Sequence, residues 1–350
     1  MASVIITGSI ISQRSAALYN GAMTELILCT DAEQWNDFML DNGGHPLQLW
    51  GWGQVKAGHG WSALRLFAMQ DDDIVGAAQV LIRKLPAPLT SLAYIPRGPV
   101  TISREFNDEF LQLIAEYVKK EHKSVALTVE PHDIDFRAPE GWRRSTNKIL
   151  SADTILLDIT KSESDLLAAM AKKTRQYIRK SASEGITIRR VTSTKDVEEC
   201  LHMYEQTADR AKFNVHTRQY YLDVASQMGD HAPLFAAYVD GTPVAFLWMA
   251  VSADVAYELY GGMNDDGQRL RANYALKWYV IRKMKEWGLS EYDFGGLVAG
   301  GVATFKQGWT DEMTVLTGTF DKPLSPLYPV WNKALPAAKK IVQATKRRFS

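Results

Sequence analysis

The chain has 350 residues, 46% apolar and 23% charged, with 40 basic and 40 acidic side chains in balance. That composition excludes a disordered, collagenous or coiled-coil chain, and it requires any polyanionic partner to be held by a local patch, not by bulk charge. Cys29 and Cys200 stand far apart, in no metal or redox spacing, which fits a reducing cytoplasm without a disulfide framework.

Taken in chain order, residues 1–22 fail as a signal peptide. They lack a basic n-region, and Thr7, Gly8, Ser9, Ser12, Gln13 and Arg14 interrupt their apolar residues. Met23-Thr24 precedes the first strand-like pattern, Glu25–Leu28, so 1–22 reads as a disordered extension or a start-codon artefact. Apolar runs such as Pro243–Val251 are far shorter than the ~20 residues a membrane-spanning helix needs.

The chain repeats itself at an offset of about 168 residues, with Phe67 aligned to Phe235 and Ala77 to Ala245. Each copy opens with a hairpin: Leu64–Gln70, an acidic turn at Asp71–Asp73 and Ile74–Ile82 in the first; Leu234–Val239, Asp240-Gly241 and Pro243–Val251 in the second. A third strand follows (Leu92–Ile95; Ala256–Tyr260), then a Gly-bearing turn. Next comes a helix with apolar residues at helical spacing: Phe106, Phe110, Leu113, Ile114 and Tyr117, then Ala272, Leu276, Tyr279, Val280, Met284 and Trp287. Each copy closes on a short buried strand, Val125–Glu130 or Tyr292–Phe294. This order is that of the α/β acyltransferase fold of the GCN5-related class, which predicts two tandem domains over 23–160 and 161–330. A single helix is predicted over Ser162–Ala182, capped by Ser162 or Thr160, with Lys172, Arg175 and Arg179 on one face. Residues 331–350 form a basic tail. The last 29 residues hold seven Lys or Arg and no acid, as suits an anionic membrane surface, nucleic acid or plain solvation.

Several chemistries lack their residues. No histidine pair has zinc-ligand spacing, so no metal is expected. Neither cysteine has an activating histidine nearby, there is no Gly-x-Ser-x-Gly, and Gly295–Gly301 lacks the Gly-Lys-Ser/Thr of a phosphate loop. The stretches where an acyltransferase would cradle the pyrophosphate of CoA, Gln268–Tyr274 and Thr101–Phe106, lack the expected glycines, so no cofactor is expected.

Eight segments carry a family resemblance over about residues 25–330: Leu47–Lys56, Tyr94–Val100, Val129–Pro131, Met170–Arg179, Tyr260–Gly262, Tyr292–Gly296, Phe305–Trp309 and Gly318–Pro323. In this order they resemble the Fem-type aminoacyltransferases, which move an amino acid from aminoacyl-tRNA onto the stem peptide of a peptidoglycan precursor. The long helical arm of some members has no counterpart here. The resemblance implies that Lys56, Arg218 with Tyr221, and Tyr260 contact the precursor, and that Phe305-Lys306 faces the reacting ester. It implies that Glu130 accepts the amine's proton or only orients the amine. Thr128 and Thr319 depart from the family pattern, standing where a basic residue and a glutamate are common. The basic face Lys172, Arg175, Arg179 suits tRNA or precursor phosphates, or plain solvation.

The function so implied is aminoacyl-tRNA-dependent transfer in interpeptide bridge formation, in the cytoplasm, with the basic tail favouring a lipid-linked acceptor at the inner membrane face. Its alternatives are a CoA-dependent N-acyltransferase and a non-catalytic membrane- or RNA-associated binding module.

Overall fold

The computed structural model describes residues 15–19, 22–211, 215–297, 301–310 and 312–333. Residues 1–14 and the tail from 334 onward lie outside the described residues.

The first sheet begins with β1 (Ser15–Tyr19) paired antiparallel to β2 (Ala22–Leu28). The segment read as a disordered extension therefore contributes an edge strand: backbone pairing to β2 supplies the order that side-chain patterning did not signal. Helices α1 (Ala32–Asp41) and α2 (Trp50–Ala57) follow; Asp31 caps α1 by accepting from the Glu33 and Gln34 amides. The hairpin of β3 (Ser62–Gln70) and β4 (Asp73–Lys84), with β5 (Ser91–Pro96) and the two-residue β6 (Val100–Thr101), extends the sheet. Helix α3 (Asn107–His122) then crosses over so that β7 (Ser124–Glu130) runs parallel to β5. Phe110, Leu113, Ile114 and Val118 of α3 bury against Leu66, Val80 and Ile95 of the sheet. Short strands β8 (Arg143–Arg144) and β9 (Asp153–Thr154) end this half.

The second sheet orders β10 (Leu156–Asp158), β15 (Glu291–Asp293), β14 (Val255–Met263), β13 (Thr242–Val251), β12 (Leu234–Val239) and β11 (Thr187–Arg190). One face is covered by α4 (Glu163–Ala169), α5 (Lys172–Ala182) and α9 (Ala272–Glu286), with Leu276, Val280 and Met284 in its core. The other is covered by α6 (Thr194–Ala211) and α7 (Arg218–Met228), whose Tyr220, Tyr221 and Val224 pack with Trp52 and Val55 of α2. That shared core joins the two halves. Helices α8 (Asp265–Leu270) and α10 (Gly301–Gln307) flank the sheet end. The β16 strand (Thr314–Val315) pairs with β9, and β17 (Phe320–Pro323) returns to the first sheet between β7 and β8. With β10 in the second sheet and β17 in the first, the halves interlock; a cut at residue 160 does not separate them.

The repeat is real, and its register differs by one from the sequence alignment. Both hairpins turn over two residues, between Gln70 and Asp73 and between Val239 and Thr242. Both carry a bulge at the matching place, after Ala68 and after Ala237. Phe67 therefore corresponds to Ala236, not Phe235, and Ala77 to Phe246, a slip that would reverse every side chain across the sheet. The predicted single helix is also two: Met170 and Ala171 are extended between α4 and α5. Ser162 caps α4, as expected. Cys29 and Cys200 are free and buried, and burial pushes the Cys200 thiol up to about 12. No helix of the described residues is long and apolar enough to cross a membrane.

Candidate active site

Strand β14, helix α9 and helix α10 converge on a cavity of about 430 Å³. Its apolar lining includes Phe246, Leu247, Tyr260, Leu276 and Phe305; its charged lining is Glu258, Lys277, Lys306 and Arg210. Lys306 sits in the last turn of α10, and its Nζ donates to the Phe294 and Gly296 carbonyls. Those two carbonyls belong to the turn that follows β15, where the Asp293 carboxylate accepts the Gly295 amide. Gly295 has φ +65°, and a Cβ there would lie 2.8 Å from the Glu258 carbonyl, so only glycine permits this approach to β14.

Glu258 and Lys277 were not singled out in the sequence, yet they are the centre of the cluster. Lys277 Nζ lies 2.6 Å from Glu258 Oε1, which also accepts from the Tyr292 hydroxyl at 2.8 Å. Glu258 Oε2 is 3.7 Å from Lys306 Nζ. The Lys277 ammonium also stands over the rings of Phe294 (4.3 Å) and Phe305 (4.9 Å). Burial lowers the Lys277 pKa to about 8, opposed by Glu258 and reinforced by the Lys306 charge. Two cations against one carboxylate leave the site net positive in apolar walls, where such charge acts strongly. A signal was present in the sequence: a glutamate inside the apolar strand Ala256–Tyr260, and a lysine next to Leu276 on a buried helix face.

The residues assigned to precursor contact divide. Lys56 of α2 donates to the Tyr220 hydroxyl at 2.7 Å and lies 4.4 Å from the Trp52 ring centre. Burial, then Arg83, lowers its pKa to about 8. The Tyr220 hydroxyl lies near that of Tyr260, which walls the cavity and whose phenol is pushed up by burial and by Tyr220. Lys56 and the cavity are thus linked through two phenols. Tyr221 packs on Tyr260 at 5.0 Å, but its hydroxyl accepts the His216 amide. Arg218 is not brought to this place: it is half exposed and paired with Glu198 at 3.0 Å.

Glu130 ends β7 fully engaged. Its carboxylate accepts from the hydroxyls of Tyr94 (2.5 Å) and Thr319 (2.6 Å) and from the Ile149 and Leu150 amides. With its lone pairs so committed and only 2% exposure, it anchors the 149–150 loop and has no capacity left for a substrate proton. Thr319 and Thr128, the two departures from the family pattern, serve this buried layer; Thr128 donates to Asp321 at 2.6 Å.

The basic face of α5 also divides. Lys172 and Arg179 are exposed, as are Lys173 and Lys180. Arg175 instead folds back to donate to the Leu167, Ala168 and Met170 carbonyls, capping the end of α4.

The fold does bring two histidines together, which their spacing concealed. His45, His132 and Asp293 place one ligand-type atom each within 4.8 Å of one another, and their rings or carboxylate are buried or nearly so. However, His45 Nδ1 accepts the Leu47 amide, so the neutral ring carries its proton on Nε2, which is then a donor and not a metal ligand. The buried Arg97 guanidinium beside them further opposes a cation.

Comparison with known proteins agrees with this architecture. The FemAB family model matches residues 30–138, and an acetyltransferase (GNAT) domain model matches residues 168–307. A protein of Staphylococcus saprophyticus named lipid II:glycine glycyltransferase is 23% identical over 85% of this chain and 92% of its own length. The crystal structure of FemX superposes with a TM-score of 0.77 at 19% identity, covering 87% of this chain and 99% of that one. A tandem GNAT protein from clavulanic acid biosynthesis superposes with a TM-score of 0.52 at 12% identity, over 87% and 99%. With the first half matched by the FemAB model, the second by the GNAT model, and the two-sheet fold shared with FemX, the chain is similar to the Fem-type family over most of its length.

Proposed function

We propose that the protein is an aminoacyltransferase that moves an amino acid from aminoacyl-tRNA to the stem-peptide amine of a peptidoglycan precursor, in the making of interpeptide bridges. The observation that carries this reading is the place of Lys306: a fixed cation, held by two backbone carbonyls, on the wall of an apolar cavity beside Phe305. The relatives named for transfer of glycine to lipid II support the acceptor class.

The chemistry asks little else of the protein. The donor is already an activated ester, so no covalent enzyme intermediate is needed. A neutral amine attacks the carbonyl, negative charge develops on its oxygen, and the ribose oxygen leaves with a proton. A preorganised ammonium stabilises both oxygens without reorganising at the moment of reaction. The precursor's phosphates would lie on the Lys56 side of Tyr260 and the donor ester on the Lys306 side, so that the two substrates meet across one phenol.

An RNA donor is favoured over CoA by the segment Gln268–Leu270, which is wound into α8 with Arg271 turned over the Tyr177 ring at 4.2 Å, and by the exposed lysines of α5. The basic tail supports a lipid-linked acceptor at the inner membrane face. The test is a transfer assay with mixed aminoacyl-tRNAs or acetyl-CoA as donor, against soluble and lipid-linked muropeptides. Transfer from tRNA alone supports the reading; transfer from acetyl-CoA alone, or none, overturns it.

A further inference from the structure

Among the described residues, the cavity offers a carboxylate oxygen without a hydrogen bond beside one fixed cation. Among its polar groups, Arg210 is engaged by Asp265 at 3.1 Å and by the Met263 carbonyl. The Thr207 hydroxyl donates to the Met203 carbonyl at 2.8 Å. Glu258 Oε1 is held by Lys277 and Tyr292. Glu258 Oε2 takes no hydrogen bond from a described residue and stands 3.7 Å from Lys306 Nζ. An anion and a cation paired at 3.7 Å, beyond hydrogen-bond distance, present a dipole for a ligand of opposite polarity.

An α-aminoacyl ester has that polarity. Its ammonium and its carbonyl oxygen are separated by two carbons, and they can face the carboxylate and the lysine together. We propose that Glu258 seats the α-ammonium of the donor aminoacyl group while Lys306 faces its ester carbonyl, and that the apolar wall takes an uncharged side chain. Lys277 is a positioning residue: with Tyr292 it pins Oε1 and keeps Glu258 from collapsing onto Lys306. Gly261 and Gly262 keep the wall open; a Cβ on Gly262 would lie 2.9 Å from both the Phe246 ring and Thr207 Oγ1. Cationic donor side chains are rejected because Lys277 and Lys306 already fill the site with like charge.

This inference rests on the transfer reading and deepens it by naming what the donor pocket recognises. The test takes a tRNA that supports transfer in the assay above and compares it, charged with its amino acid, against the same tRNA charged with the matching α-hydroxy acid. The two donors are isosteric and differ in the ammonium. The unmodified protein is expected to use the hydroxyacyl donor roughly 10- to 100-fold less well in kcat/KM, the range for a charge-assisted hydrogen bond. Glu258→Gln should shrink the gap to a few-fold, by losing mainly the aminoacyl reaction. Lys277→Met should shrink it too, and Lys277→Arg should restore part. Glu258→Asp, which keeps the charge on a shorter stem, should hold an intermediate gap, and thermal melting identifies any variant that misfolds. Equal use of both donors by the unmodified protein, or a full gap in a folded Glu258→Gln, overturns the proposal while leaving the transfer reading intact. Use of neither donor overturns the transfer reading as well.

Discussion

Lys277 and Glu258, on α9 and β14, form an ion pair at 2.6 Å with side chains only 4% and 7% exposed. Burying that lysine opposes its charge and lowers its pKa to about 8. In the unfolded chain it titrates near ~10.4. Between those values the unfolded chain binds more protons, so this group makes stability rise with pH from about 8 to about 10. Below that window the penalty is present in full, at most about 3 kcal/mol for a shift of that size. Above pH ~10 the raised phenols of Tyr260 and Tyr292 act in the opposite direction, since the folded state holds their protons longer. Denaturant titrations of the unmodified protein and Lys277→Met at pH 7 to 10 should therefore diverge in slope. Parallel curves would show that Lys277 titrates as an ordinary lysine.

In the proposed reaction, Lys306 supplies the charge that faces the reacting ester. Lys306→Met should lower single-turnover transfer by roughly 100- to 1000-fold, the range for a lost charge-stabilising donor. Glu258 keeps Lys277 and Tyr292 as partners, so the melting temperature should move little. Lys306→Arg should recover only part, because a planar fork directs its donors differently. Near-normal turnover in a folded Lys306→Met would place the centre elsewhere.

What the sequence made legible depended on period and order. The two hairpin–strand–helix–strand copies follow from apolar spacing alone, and so does the pairing of β3 with β4 and of β12 with β13. Register escaped by one residue because the bulges after Ala68 and Ala237 leave no compositional mark. The break at Met170-Ala171 escaped for a tertiary reason: both residues favour helix, but the Ala171 amide bonds to the distant Gly308 carbonyl. The site was half visible. Phe305-Lys306 came from the family resemblance, whereas Glu258 and Lys277 meet only after a strand and a helix pack. Glu130 shows the converse, an acidic residue at a suggestive position whose oxygens are all spoken for.

The α5 helix separates structural from exposed charge. Arg175→Met loses its hydrogen bonds to the α4 carbonyls and should cost about 1–2 kcal/mol in urea unfolding, with tRNA affinity unchanged. Replacing Lys172, Lys173, Arg179 and Lys180 with Ala should leave stability alone and weaken tRNA binding. The slope of log affinity against log salt should fall by roughly 0.7 to 0.9 per lost phosphate contact. A changed salt slope in Arg175→Met, or an unchanged one in the quadruple variant, would reverse this division.

Lys56 tests the acceptor side. Its ammonium is tied to the Tyr220 hydroxyl and to the Trp52 face, and it loses its proton near pH 8 in the free protein. Only the charged form attracts a phosphate, so acceptor KM should be lowest below pH 8 and should rise as the pH passes through that value. A contact remote from the ester acts alike on bound substrate and transition state, so kcat should hold. Lys56→Met should raise acceptor KM by roughly 10- to 100-fold, as for a lost charge-assisted hydrogen bond, and should abolish the inflection near pH 8. Tyr220→Phe keeps the aromatic wall but frees the lysine from its hydroxyl partner. Its effect should fall on KM alone and be smaller than that of losing the cation. A drop in kcat with KM unchanged in Lys56→Met would move this lysine from the acceptor's phosphates to the reacting centre, and the two-sided arrangement across Tyr260 would fall with it.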